Sequence, residues 1–136
     1  MPAILYIDDV PQALVLRKCL LEEKGYQVLT PDGLEGIETA REQPIDAVLL
    51  DYDLPGMRGD EVAVLLKREH PTLPIIVLTG HAWDIPEMLL RISDWVVEKR
   101  EGAAVLLTAI EGVLKRPPKA ATAKKEDAKK EEKKAG

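Results

Sequence analysis

Short apolar runs alternate with longer amphipathic stretches along most of this chain. The apolar runs are Ala3 to Asp8, Tyr26 to Leu29, Ala47 to Asp51, Ile75 to Thr79 and Trp95 to Glu98. Each run is too short and too continuously apolar for a helix with one buried side, and all but the second end in a polar residue. This pattern is typical of strands that are buried on both faces of a parallel sheet.

The stretches between and after these runs predict helices. They are a stretch built on Ala13, Leu16 and Leu20 that ends near Gly25, one from Asp32 to about Gln43, one from Gly59 to Glu69, one after Asp84, and one from Ala103 to Leu114. The fourth helix is expected to be short, because few residues separate Pro86 in its first turn from Ser93. Strands and helices that alternate strictly predict a three-layer α/β sandwich around a five-stranded parallel sheet.

Composition narrows the class of protein. A chain of 136 residues with 46% hydrophobic positions fits one globular domain. Its longest apolar runs are far shorter than a membrane-spanning helix of ~20 residues, and its first residues lack the basic flank of a signal peptide. We therefore expect a cytoplasmic protein with no membrane association. The single cysteine, Cys19, is expected to be a buried or half-buried apolar residue.

Charge divides the chain into two regions. Residues 117–136 contain seven lysines, four acidic residues and no apolar side chain larger than alanine, which predicts a disordered tail rich in Lys, Glu and Ala. The folded domain is predicted to span residues 1–116, whose net charge is −8. An acidic domain repels phosphate backbones, so direct nucleic-acid binding is not expected.

Polar residues at the carboxyl ends of the predicted strands are the candidate site. They are Asp8, Asp9, Asp51, Thr79 and Lys99. The carboxyl ends of parallel strands share one edge of the sheet, where open α/β sheets bind their ligands. Three carboxylates at one edge repel each other and need a cation, and an incomplete shell of oxygen ligands suits Mg²⁺.

Four segments that contain these residues resemble the receiver domain of two-component response regulators. They are Ile7 to Asp9, Leu49 to Gly59, Pro74 to Gly80 and Val97 to Lys99. The resemblance extends from about Ile4 to Leu114. It implies a flavodoxin-like receiver fold with strand order 2-1-3-4-5 and five helices.

The resemblance also implies a role for each matching residue. Asp51 would be the phosphoacceptor, which attacks a phosphohistidine of a histidine kinase or a histidine phosphotransfer protein. Asp8, Asp9 and Asp51, with the backbone carbonyl of Asp53, would hold Mg²⁺.

Two further residues would contact the transferred phosphoryl group. Lys99 would bind one of its oxygens, and Thr79 would donate its hydroxyl to another.

We expect the protein to act as a stand-alone, single-domain response regulator. Its output would be a protein contact with an unknown target or onward phosphoryl transfer. It would not be an enzyme in the usual sense, because its chemistry would be limited to its own phosphorylation and dephosphorylation.

The sequence departs from the family pattern around the fifth strand. The interval from Thr79 to Lys99 is short, and Arg100 stands where a proline usually follows the lysine. Val96 stands where an aromatic residue is usual, and Trp95 is one position earlier, so an alternative alignment would place a glutamate in the position of the lysine. We prefer Lys99, because this alignment keeps the register of the last helix.

Two alternatives remain open at this point. A receiver with a degraded site could act as a phosphorylation-independent interaction module. A phosphatase of the haloacid dehalogenase class also forms an aspartyl phosphate and has a similar set of residues, but in a different order along the chain and with a cap domain for which this length leaves no room.

Overall fold

The computed structural model describes residues 1–53 and 59–115, except that the burial of Gly33 and Leu34 is not described. The strands are β1 Ala3–Ile7, β2 Gln27–Leu29, β3 Ala47–Asp51, β4 Ile75–Thr79 and β5 Trp95–Glu98. The helices are α1 Pro11–Glu23, α2 Gly33–Glu42, α3 Gly59–Glu69, α4 Glu87–Ile92 and α5 Ala103–Lys115. Two 3₁₀ turns, Ala82–Asp84 and Lys99–Glu101, follow β4 and β5. The predicted tail, 117–136, lies outside the described residues.

All five strands are parallel and lie in the order β2-β1-β3-β4-β5. This confirms the predicted sheet and its strand order. Every residue of β1, β3 and β4 is buried. Because both faces of these strands are covered, their sequences are continuously apolar rather than alternating.

Helices cover both faces of the sheet and form the outer layers of the sandwich. On one face the core contains Leu21 of α1 and Leu106 and Ile110 of α5. On the other face it contains side chains of α2, α3 and α4 together with alternate residues of the strands. No helix in the described part of the chain is both long and apolar enough to span a membrane.

The ends of the helices follow local sequence signals. Gly25 adopts a φ of +92°, a conformation that residues with a side chain rarely adopt, just after α1 ends. The fourth helix is as short as predicted, with six residues. Asp84 belongs to the preceding 3₁₀ turn, and Pro86, expected in the first turn of α4, lies just before it at the N-cap position without a side-chain capping bond.

The buried side of α1 differs from the side that the periodicity predicts. Leu16 was expected in the buried stripe but is 73% exposed, whereas Leu21 is fully buried. Cys19 is exposed, so the expectation of a buried or half-buried cysteine is wrong. The apolar residues of α1 are spread around all sides of the helix. The periodicity alone therefore does not determine which side packs on the sheet.

Candidate functional site

Asp51 is the last residue of β3 and its side chain is nearly fully buried, with 1% of the residue exposed. One carboxylate oxygen, Oδ1, accepts a hydrogen bond of 2.9 Å from the Asp53 N–H. The Lys99 ammonium lies 3.2 Å from Oδ1 and 3.3 Å from Oδ2. The carboxylate thus lies at the edge of the sheet beside the Lys99 ammonium, as the sequence predicted.

Asp8 and Asp9 lie beside Asp51, just past the end of β1. Carboxylate oxygens of the three residues all lie within 4.8 Å of one another. Asp8 is 4% exposed, and Asp9 is open to solvent. This cluster contains only oxygen donors and has one solvent-facing side, so it fits a hard cation such as Mg²⁺, which retains several water ligands.

A hydrogen-bond network that was not predicted from the sequence holds the Asp8 carboxylate in place. The buried Tyr6 hydroxyl donates a 2.7 Å hydrogen bond to Asp8 Oδ2, and the Val10 N–H donates to Oδ1 at 3.0 Å. Arg17 of α1 donates to the Tyr6 oxygen at 3.1 Å and lies 3.7 Å from Asp8 Oδ2. Tyr6 could have been inferred, since residues two apart on a strand share a face. Nothing in the sequence indicates Arg17, which approaches from a helix.

Burial, neighbouring charges and hydrogen bonds shift the pKa values of Asp8 and Asp51 in opposite directions. Burial, and then the charge of Asp8, raise the pKa of Asp51 to about 6. Burial also opposes ionisation of Asp8, but its hydrogen bonds from Val10 and Tyr6 outweigh this effect and lower its pKa. Asp51 is therefore the member of the pair that takes up a proton first as the pH falls, and Asp8 keeps its charge to lower pH.

Lys99, not the preceding glutamate, faces the acidic cluster. Lys99 begins the 3₁₀ turn after β5, and its ammonium contacts Asp51. The Glu98 carboxylate instead accepts hydrogen bonds from the Ala82 N–H at 3.3 Å and from Arg100 Nε at 2.6 Å. This confirms the preferred register of the fifth strand. None of the described peptide bonds is cis, so Arg100 follows Lys99 through an ordinary bond.

Asp53 and Thr79 complete the edge of the site. The half-exposed Asp53 carboxylate accepts a 3.2 Å hydrogen bond from the Gly80 N–H and lies 3.7 Å from the Lys99 ammonium. Its backbone carbonyl as a metal ligand stays a prediction. Thr79 is 1% exposed at the end of β4, and its hydroxyl bonds to the backbone of His81. Thr79 therefore lies at the predicted edge of the sheet, while its hydroxyl has a backbone partner.

Gly59 begins α3, as the sequence predicts, and has a specific steric role beside Asp51. It is the buried first residue of α3. A Cβ at this position would lie 2.9 Å from the Tyr52 Cα and 3.1 Å from the Asp51 carbonyl oxygen. Because backbone atoms cannot give way as a flexible side chain can, only glycine lets α3 approach the end of β3 so closely. Residues 54–58 of the predicted motif lie outside the described residues.

The two tryptophans have different environments. Trp95 packs against the core formed by α1, α5 and the sheet. Trp83 is 70% exposed, so it is not a core anchor. Its ring lies 4.6 Å from that of the exposed His81.

Comparison with known proteins agrees with this geometry. The family described as the response regulator receiver domain matches residues 4–111. The response regulator TrrA of Thermotoga maritima, solved in complex with Mg²⁺-BeF, has 30% identity and a TM-score of 0.78, covering 84% of this chain and all of TrrA. TrrA has also been solved in complex with the histidine kinase ThkA.

Two curated relatives differ in how much of them the chain matches. PilH of Pseudomonas aeruginosa is 32% identical over 111 residues, which cover 79% of this chain and 85% of PilH. The sensor histidine kinase GacS of Pseudomonas protegens is 37% identical over 87 residues, so that 60% of this chain matches only 10% of the kinase. The match to the receiver domain family and the strand order β2-β1-β3-β4-β5 both favour a receiver domain over the haloacid dehalogenase alternative. The chain belongs to the response regulator receiver domain family.

Proposed function

We propose that Asp51 accepts a phosphoryl group from a phosphohistidine on a histidine kinase or a histidine phosphotransfer protein. The observation that carries this proposal is a buried carboxylate that contacts a lysine ammonium at 3.2 Å and shares an oxygen cluster with two further acids. The kinase complex of TrrA and the similarity to GacS support this class of partner.

The proposed transfer balances without a further reactant. An Asp51 oxygen attacks phosphorus, an O–P bond forms, and the P–N bond to the donor histidine breaks. The electron pair of that bond stays on the imidazole nitrogen, which takes up a proton from the solvent. The product is an acyl phosphate on Asp51.

The side chains around Asp51 would each favour the transfer. Lys99 would bind a phosphoryl oxygen, because its ammonium already contacts the attacking carboxylate. Thr79 would donate its hydroxyl to a second oxygen. Tyr6 and Arg17 keep Asp8 oriented and ionised beside the reaction.

Asp8, Asp9 and Asp51, with the carbonyl of Asp53, would hold Mg²⁺. When bound, the ion would offset the negative charge that accumulates as the phosphoryl group arrives. The acid cluster in this chain and the Mg²⁺-BeF complex of TrrA support this assignment. Replacing the exposed ligand as Asp9→Ala should weaken Mg²⁺ binding measured by titration calorimetry, and unchanged affinity would contradict the metal site.

We propose that the output is a contact with a downstream protein or onward phosphoryl transfer, and that the chain does not turn over an external substrate beyond its own phosphorylation and dephosphorylation. The net charge of −8 over residues 1–116 supports a protein partner over nucleic acid.

Intact mass spectrometry after incubation with a small-molecule phosphodonor and Mg²⁺ tests the proposal. We expect the parent protein to gain one phosphoryl group, and to gain none when a chelator replaces Mg²⁺. Asp51→Ala should abolish the gain. Asp32→Ala is the matched control, because Asp32 is an exposed acid whose side chain makes no capping bond at α2. Equal labelling of Asp51→Ala and the parent would disprove the assigned nucleophile.

One observation favours a second candidate function, the phosphorylation-independent interaction module. Val96 and Arg100 depart from the family pattern next to Lys99, where a change could uncouple phosphorylation from output. The same labelling experiment separates the two functions, because a degraded site would take up no phosphoryl group.

A further inference from the structure

The segment between β4 and α4 is anchored at two adjacent points by side chains from the carboxyl ends of β4 and β5. The Thr79 hydroxyl donates to the His81 carbonyl at 3.3 Å and accepts from the His81 N–H at 3.2 Å. The Glu98 carboxylate accepts from the N–H of the next residue, Ala82, at 3.3 Å. Thr79 and Glu98 are partners in the ladder between β4 and β5, so the two anchors lie side by side.

The anchor at Thr79 loses its donated hydrogen bond if Thr79 also donates to a phosphoryl group, and only the bond that the Thr79 oxygen accepts from the His81 N–H can then remain. A hydroxyl has one proton to donate, and here the His81 carbonyl accepts it. If the hydroxyl turns to donate to an oxygen on Asp51, that carbonyl loses its donor. The Glu98 bond to Ala82 then still ties the segment to β5.

Glu98 is itself held in place. Arg100 Nε donates to its second carboxylate oxygen at 2.6 Å, and its backbone N–H donates to the Glu101 carboxylate at 2.8 Å. The hydrogen bond from Arg100 lowers the pKa of Glu98, so the acceptor is ionised near neutral pH. A charged acceptor in a fixed position makes a stronger hydrogen bond than a mobile neutral one.

The anchored segment carries the most exposed aromatic side chain of the described chain. Trp83 is 70% exposed and its ring lies against that of His81. Any displacement at His81 and Ala82 would therefore move Trp83 relative to the protein surface. A partner or a fluorescence measurement could detect that movement.

We propose that Glu98 is a positioning residue that opposes displacement of the Gly80 to Asp84 segment and thereby makes it harder for Thr79 to turn toward a phosphoryl group on Asp51. The link to phosphorylation rests on the proposed function, whereas the anchoring of Ala82 does not. One net hydrogen bond changes an equilibrium by about 2- to 10-fold, and we expect effects of this size.

The test uses the full chain and three variants. Glu98→Ala removes the acceptor, and Glu98→Gln keeps one acceptor oxygen. Glu87→Ala is the control, because it removes an exposed acid from the first turn of α4. The first measurement is hydrogen exchange at the Ala82 amide without a phosphodonor. The second is the fraction of protein labelled by a small-molecule phosphodonor with Mg²⁺ at a concentration that labels only a minority of the parent.

We expect Glu98→Ala to speed Ala82 exchange by about 2- to 10-fold and to raise the labelled fraction, with a larger change in Trp83 fluorescence on labelling. Glu98→Gln should stay closer to the parent, and Glu87→Ala should match it. Unchanged Ala82 exchange in Glu98→Ala would overturn the anchor. Faster exchange without higher labelling would show that the anchor is only structural and overturn its link to Thr79. If the parent itself takes up no phosphoryl group, the proposed function fails and that link fails with it, while the exchange measurement still decides whether Glu98 holds the segment.

Discussion

Removing the charge of Asp51 should stabilise the protein when no divalent metal is present, although the proposed function depends on this residue. The carboxyl is 1% exposed, and its pKa is raised from 3.8 to about 6 by burial first and then by the charge of Asp8. Between about pH 4 and pH 6, Asp51 therefore keeps a proton in the folded protein that it has already released in the unfolded chain. Stability falls as the pH rises from about 4 to about 6 and stays lower above that range.

The size of the effect follows from the pKa shift. The rise in the pKa of Asp51 from 3.8 to about 6 lowers the free energy of unfolding at pH 8 by about 3 kcal/mol, because each tenfold change in proton affinity is worth about 1.4 kcal/mol. This figure already includes the attraction of Lys99, which lowers the pKa of Asp51. In Asp51→Asn the amide oxygen can still accept the hydrogen bond from the Asp53 N–H. We therefore expect the variant to be about 2–3 kcal/mol more stable than the parent at pH 8.

Urea denaturation in the presence of a chelator, at pH 8 and at pH 4, measures this difference. The gain should be present at pH 8 and should approach zero at pH 4, where Asp51 is protonated in the folded parent. Asp32→Asn, at an exposed position, should match the parent at both pH values. Mg²⁺ should stabilise the parent at pH 8 more than it stabilises Asp51→Asn. A variant that is less stable than the parent at pH 8, or a gain that is equal at both pH values, would refute the reasoning.

Three further substitutions test the geometry around Asp51. Lys99→Ala should slow labelling of Asp51 by about 100- to 1,000-fold, because it removes the ammonium beside the nucleophile, and unchanged labelling kinetics would contradict its role. Tyr6→Phe should lower the free energy of unfolding by about 1–3 kcal/mol, because a buried carboxylate loses a hydrogen bond, and a loss below about 0.5 kcal/mol in urea denaturation would show that this bond contributes little. Gly59→Ala usually favours a helix, but here we expect a destabilisation of about 1–3 kcal/mol because the new methyl group meets the backbone of Tyr52, and an increase in melting temperature would contradict the close approach.

The sequence by itself determined the layers and the edge of the sheet where the site lies. The continuously apolar runs of β1, β3 and β4 have no polar side that could face water, so they predict strands covered on both faces. A parallel sheet then places the last residue of each strand at one edge, which is why Asp8, Asp51 and Thr79 could be assigned to a common site before any coordinates.

The sequence also carried enough information to choose between two registers of β5. Keeping the apolar positions of α5 in place predicted that Lys99 faces Asp51, and the structure shows this contact at 3.2 Å. Glu98, the last residue of β5, instead pairs with Ala82 and Arg100, while Lys99 lies in the turn that follows.

Only the tertiary structure decided the contacts that depend on how helices and loops approach the sheet. Arg17 reaches Tyr6 because α1 packs on that face, and the helix has apolar residues on all sides, so no sequence pattern selects which of them is buried. Gly59 is required because the backbone of Tyr52 and Asp51 lies against it. Glu98 can bind the Ala82 N–H because the chain after β4 passes the end of β5. Such contacts depend on how one element packs against another, so local propensity and periodicity contain no information about them.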